Sequence, residues 1–67
     1  MEWELCELSG YLYAEGEMGT YWISDEKVAI LSRVTGDAAG PNTRELGMFA
    51  TVEAAKDTAK QLDEAKL

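Results

Sequence analysis

This 67-residue chain has no histidine, a single cysteine, a single proline, and no lysine or arginine before Lys27. With no histidine and only Cys6, the usual ligands of a transition-metal site are missing and an intramolecular disulfide is excluded. A thiol or hydroxyl nucleophile would lack its usual base, so the sequence points away from an enzyme, and neither cofactor nor metal is expected. Cys6 reads as a small buried hydrophobe, since no base lies near it in sequence to favour the thiolate. One unpaired cysteine fits a reducing, cytoplasmic setting.

Long apolar runs are also missing. Tyr11 to Ala14 and Val28 to Leu31 are the longest stretches, far short of the roughly 20 residues of a membrane span, and Met-Glu-Trp-Glu does not read as a secretory leader. No membrane association is expected. Gly16-x-x-Gly19 and Gly36-x-x-x-Gly40 lack the lysine and hydroxyl residue of a phosphate-binding loop and read as turn glycines. The acids show no EF-hand spacing.

What the chain has is acid, placed on one side of the sequence. Seven acids, Glu2, Glu4, Glu7, Glu15, Glu17, Asp25 and Glu26, precede the first base, while residues 27–67 carry six of each sign; the formal charge of −7 belongs to the first 26 residues. Such asymmetry steers encounters with basic partners and opposes direct binding to DNA, RNA or anionic lipid. At this length the chain is one domain, residues 1–67, of modest stability. Its apolar content of 46% and its several tryptophans and tyrosines are those of a folded chain, not a disordered acidic tail.

The pattern along the chain predicts strands at Trp3 to Leu8, Tyr11 to Ala14, Thr20 to Ile23 and Val28 to Val34. Ser9-Gly10, residues 15–19 and Asp25-Glu26 separate them. Residues 35–43, with the only proline and two glycines, read as the loop most prone to movement, and Arg44 to Phe49 as a short edge strand. Thr51 has the character of a helix cap, with Glu53 in the first turn. Val52, Ala55, Ala59 and Leu62 then recur at helical spacing, and Lys56, Lys60 and Lys66 put positive charge toward the C-terminal end. The expected fold is α+β, a four- or five-stranded antiparallel sheet meander backed by one C-terminal helix.

A lone helix leaves one sheet face uncovered. If the parity of Tyr21, Ile23, Val28 and Ile30 points to the helix, Trp22 and Leu31 point away, joined by either Tyr11/Tyr13 or Leu12/Ala14. The five aromatics Trp3, Tyr11, Tyr13, Tyr21 and Trp22 compete for the covered face, so some remain on the open one, where such side chains anchor interfaces. The candidate partner-binding residues are Glu2, Glu4, Glu7, Tyr13, Glu15, Glu17, Trp22, Asp25 and Glu26. Glu2 and Glu4 on an extended strand lie roughly 7 Å apart; duplex DNA carries a phosphate charge about every 1.7 Å of axis, so the acids can imitate a patch of nucleic acid.

The segments Gly47-Met48-Phe49-Ala50-Thr51-Val52-Glu53-Ala54-Ala55-Lys56 and Gly19-Thr20-Tyr21-Trp22-Ile23 resemble a pattern in small phage and bacterial proteins, a strand meander ending in a phenylalanine, a threonine cap and an Ala-Lys-rich helix. In size, acidity and lack of catalytic residues the chain also resembles phage-encoded anti-defence proteins of the anti-CRISPR type. That resemblance implies a non-catalytic inhibitor whose acidic face imitates nucleic acid and occupies the DNA- or RNA-binding groove of a basic protein or complex in the host cytoplasm, a defence complex such as a CRISPR effector. The alternative expectation is a small cytoplasmic adaptor that forms a homodimer through its open aromatic face.

Overall fold

The computed structural model describes residues 1–37 and 40–65. It is an α+β fold: five antiparallel strands in the order β1-β2-β3-β4-β5, each beside its sequence neighbour, and one C-terminal helix. The strands are β1 (Glu4–Leu5), β2 (Leu12–Gly16), β3 (Gly19–Asp25), β4 (Ala29–Asp37) and β5 (Gly40–Phe49), followed by α1 (Val52–Glu64).

Turn lengths set which side chains share a face. Gly16 pairs with Gly19, so Glu17 and Met18 form a two-residue connection that sets Ala14 opposite Tyr21 and Tyr13 opposite Trp22. Gly19 holds φ at 137°, and a Cβ there would meet the Val34 carbonyl oxygen at 2.7 Å, so the position admits only glycine. Asp25 pairs with Ala29, leaving the three residues 26–28 in the next turn; Ile23 then lies opposite Leu31, and Trp22 opposite Ser32. This corrects the expected parity, because an odd-length turn moves Leu31 to the helix side and Ile30 to the open side. Val28 sits in the turn, 40% exposed.

The covered face is small. Tyr21, Ile23, Ala29, Leu31, Ala55 and Ala59 form the buried cluster, with Trp3, Leu12, Leu46, Phe49 and Val52 packed around it. Each buried Ile or Leu contributes about 1.5–3 kcal/mol, and the alanines on α1 let the helix approach the sheet closely. Thr51 caps the helix as expected: its Oγ1 accepts from the Ala54 N–H at 3.2 Å. Leu62, expected against the sheet, is 41% exposed; the sheet-facing stripe continues from Ala59 to the partly exposed Asp63 at i+4 spacing instead.

Asp63 explains the departure. The Met18 N–H donates to its Oδ1 at 2.9 Å and the Tyr21 hydroxyl at 3.4 Å, tying the last helical turn to the β2–β3 hairpin. A carboxylate there opposes the helix dipole, and the last turn holds no base to offset it. The tertiary hydrogen bonds keep it in place. Lys66, expected to complement the dipole, lies outside the described residues.

Two segments differ in extent from the sequence reading. The expected first strand, Trp3 to Leu8, pairs only at Glu4–Leu5, because the chain turns at residues 6–10: the Gly10 N–H donates to the Cys6 carbonyl at 2.7 Å and the Cys6 N–H to the Tyr11 carbonyl at 2.8 Å. The expected loop at 35–43 instead extends the sheet, since Thr35 pairs with Asn42, Gly36 with Pro41 and Asp37 with Gly40; Ala38 and Ala39 lie outside the described residues. Pro41 is tolerated because β5 is an edge strand, where a missing N–H can face away from the ladder. A bulge at Leu46, between the pairs Leu31–Gly47 and Ser32–Glu45, restores Glu45 to the open face.

Candidate protein-binding face

The helix leaves one face of the sheet open, and the register orders its side chains into rows. Glu4, Tyr13, Trp22, Ser32 and Glu45 lie side by side across all five strands. Tyr13 and Trp22 stack, with ring centroids 5.0 Å apart and planes inclined by 29°. On one side lies the row Ser24, Ile30 and Met48, and on the other Glu15, Thr20, Val34 and Thr43. Met48 is 67% exposed.

The strand positions of the open face hold acids without bases. The acids at strand positions of the open face are Glu4, Glu15 and Glu45, and no base shares those rows. Arg33 and Arg44, directly opposed on β4 and β5, belong to the helix-side parity with Tyr21. There the Arg33 guanidinium interacts with the Tyr21 hydroxyl. Burial of Tyr21 holds its phenol above the ordinary tyrosine value, and Arg33 partly opposes that rise.

Of the candidate residues, the fold brings Glu4, Tyr13 and Trp22 into one row and sets Glu2 and Glu15 beside them. Met1, Glu2, Glu4, Tyr13 and Glu15 line a hollow of about 470 Å³ at the β1–β2 edge. The Glu4 carboxylate accepts the Tyr13 hydroxyl, which, with the charge of Glu4, raises the Tyr13 phenol above its ordinary value. Glu17 lies in the β2–β3 connection at this same end. Glu7, Asp25 and Glu26 are not part of the group: they lie at or beyond the opposite end of the strands, near the Cys6–Gly10 turn and the β3–β4 turn.

Of the two sets left open by the sequence, Tyr11/Tyr13 is the one on this face; Ile30, Ser32, Glu45 and Met48 are the residues that sequence reasoning missed. The signal that finds them is the three-residue turn at 26–28 together with the bulge at Leu46. Cys6 is only partly buried, short of its expected burial, and hydrogen bonds from Ser9 draw its thiol below the ordinary value. Among the described residues, no group of three or more His, Cys, Asp or Glu is placed to hold a metal ion, and no helix is long and apolar enough to cross a membrane.

No known protein family, curated protein or solved structure matches this chain.

Proposed function

We propose that this chain is a non-catalytic binding protein that docks its open sheet face on a basic protein surface, acting as an inhibitor by occupying a groove that otherwise holds nucleic acid. The observation that carries the reading is the central row, an aromatic stack with a carboxylate at each end and no base beside it. Stacked aromatics give a docking surface apolar area at little entropic cost, and the flanking acids select a cationic partner and speed encounter. Glu2 and Glu17 extend the acidic edge. A reducing, cytoplasmic setting belongs to the proposal, in keeping with the single, partly buried thiol.

The test is association with a basic nucleic-acid-binding protein recovered by affinity capture, measured against salt and competing nucleic acid. Association should slow as salt screens charge over a Debye length of roughly 8 Å at physiological ionic strength. Reversing Glu4 and Glu15 to Lys should slow it most, while reversing Asp57 and Glu64 on α1 should change it little. Trp22→Ser should raise the dissociation rate and leave the fold intact. Binding indifferent to salt, competitor and these reversals would refute the reading.

A second reading, self-association through the same face, is favoured by the 67% exposure of Met48 beside Ile30. Sedimentation equilibrium separates the two: a homodimer abolished by Trp22→Ser or Met48→Ser supports it, and a monomer across the concentration range refutes it.

A further inference from the structure

The stacked pair is covered on one side only. Tyr13 lies against one side of Trp22, whereas the cross-strand neighbour on the other side is Ser32, too small to fill the space beside an indole. A hollow of about 200 Å³ opens there, lined by Tyr11, Trp22, Ser24, Ile30, Ser32 and Thr43. It has an aromatic wall, an aliphatic contact at Ile30 and four hydroxyl-bearing residues, with Glu45 beside Ser32 on β5. None of the lining residues carries a charge.

We infer that this hollow takes an arginine side chain of the partner, an inference that rests on the docking reading above. A planar guanidinium can lie against the indole, donate its several N–H groups to the hydroxyls of Ser24, Ser32 and Thr43, and turn its charge toward the Glu45 carboxylate. Lysine fits the same features less well: its ammonium is compact and strongly hydrated, cannot stack on an indole, and has three donors on one point charge. The lining surface is mainly apolar and suits the face and methylenes of arginine; a neutral aromatic or aliphatic side chain would match that surface but would draw nothing from the acids of the row. The register gives Arg33 and Arg44 the opposite parity, so neither lines the hollow, although Thr43 also borders the neighbouring hollow that they line. The hollow thus selects the kind of cation, while Glu4 and Glu15 supply attraction to any cation.

Three nonapeptides, identical except that every basic position is arginine, lysine or citrulline, test the assignment by titration followed through the Trp22 indole N–H and the Ser32 and Thr43 amide NMR signals. The arginine peptide should bind several-fold more tightly than the lysine peptide, shift all three signals and lose affinity with salt; the citrulline peptide should bind least. Glu45→Gln, a change at an exposed position, should reduce the arginine preference, and Trp22→Leu should bring it close to parity. Glu15→Gln should weaken both cationic peptides alike. Equal affinity for the arginine and lysine peptides, with salt sensitivity kept, would overturn the arginine assignment and leave the docking face standing. Binding that shifts signals only on the helix side, or no binding by either cationic peptide, would overturn both.

Discussion

Gly16 is the position where the smallest substitution should do the most damage. A Cβ added there would lie 2.6 Å from Asp63 Oδ1 and 2.9 Å from Tyr21 Cε2. The Asp63 carboxylate can swing outward, but the Tyr21 ring is fully buried and has nowhere to go. Displacing Asp63 breaks the bond from the Met18 N–H and the longer one from the Tyr21 hydroxyl. A hydrogen bond to a charged group contributes about 1.5–3 kcal/mol, and partial exposure puts this pair near the lower bound. Crowding the ring adds about 1 kcal/mol. Gly16→Ala should therefore cost about 2–3 kcal/mol and lower the melting temperature by on the order of 10 °C, although an alanine at an unstrained strand position would otherwise stabilise the chain slightly. Asp63→Ala should cost about 1.5 kcal/mol. The double variant is the decisive measurement: with Asp63 already gone, Gly16→Ala should cost only the ring crowding, so the two effects should fall short of additivity by about 1.5 kcal/mol, the contribution of the Asp63 hydrogen bonds that both changes remove. Thermal and urea melts followed by circular dichroism supply all four corners of the cycle. Strict additivity, or a Gly16→Ala protein as stable as the parent, would refute the Asp63 anchor.

The orientation of α1 predicts that Ala59→Asp, at a fully buried position, destabilises by several kcal/mol while Leu62→Asp stays within about 0.5 kcal/mol; melting curves in the reverse order would mean the helix is rotated. The Glu4–Tyr13 hydrogen bond predicts that the Tyr13 phenol titrates above a free tyrosine and moves down in Glu4→Gln, as read by tyrosinate absorbance. Because the folded-state value is the raised one, the stability Tyr13 contributes is fully present below the ordinary tyrosine value near 10 and is lost as pH rises through the folded-state value. A tyrosinate titration unchanged by Glu4→Gln would remove the contact from the central row.

Element types were legible from composition alone: β-branched and aromatic runs between glycine-containing turns give the meander, and Thr51 before a run of alanines gives the capped helix. Parity was not. With Tyr21 and Ile23 on the covered face, the sequence reading places Ile30 beside them and Leu31 opposite, the reverse of the structure, because that choice hangs on whether the β3–β4 turn holds an odd or an even number of residues, and Asp-Glu-Lys-Val fits either. Leu62 was misplaced for a different reason. Hydrophobic periodicity favours a leucine over an aspartate at the sheet, but Met18 offers a backbone N–H from residues far away in sequence, which no local pattern announces. Residues 35–43 carry the composition of a loop, and only the pairing of β4 with β5 makes residues 35–37 and 40–43 strand. For the candidate site the acidic third was visible and its division was not: Glu4 and Glu15 meet the aromatic stack, while Glu7, Asp25 and Glu26 go to the other end.

The allocation of apolar residues is the stronger clue to what the open face does. Among the described residues, four of the seven buried hydrophobics are alanines, Ala14, Ala29, Ala55 and Ala59, whereas Trp22, Tyr13, Ile30 and Met48 stand on the side without a helix. A chain near this size buries only about 60% of its unfolded surface and has little stability to spare. Exchanging Met48, 67% exposed, and Tyr11, 36% exposed, for polar residues would remove exposed apolar area without opening a cavity in the covered core, so stability alone does not account for them. Charge follows the same division, with acids on the open rows and the paired arginines behind. A solvated acidic surface needs neither the aromatic stack nor the absence of bases beside it; a face that meets a cationic partner uses both. Docking would also bury this apolar area, so the free chain should be less stable than the bound one, and the melting temperature should rise with partner concentration as binding to the folded state requires.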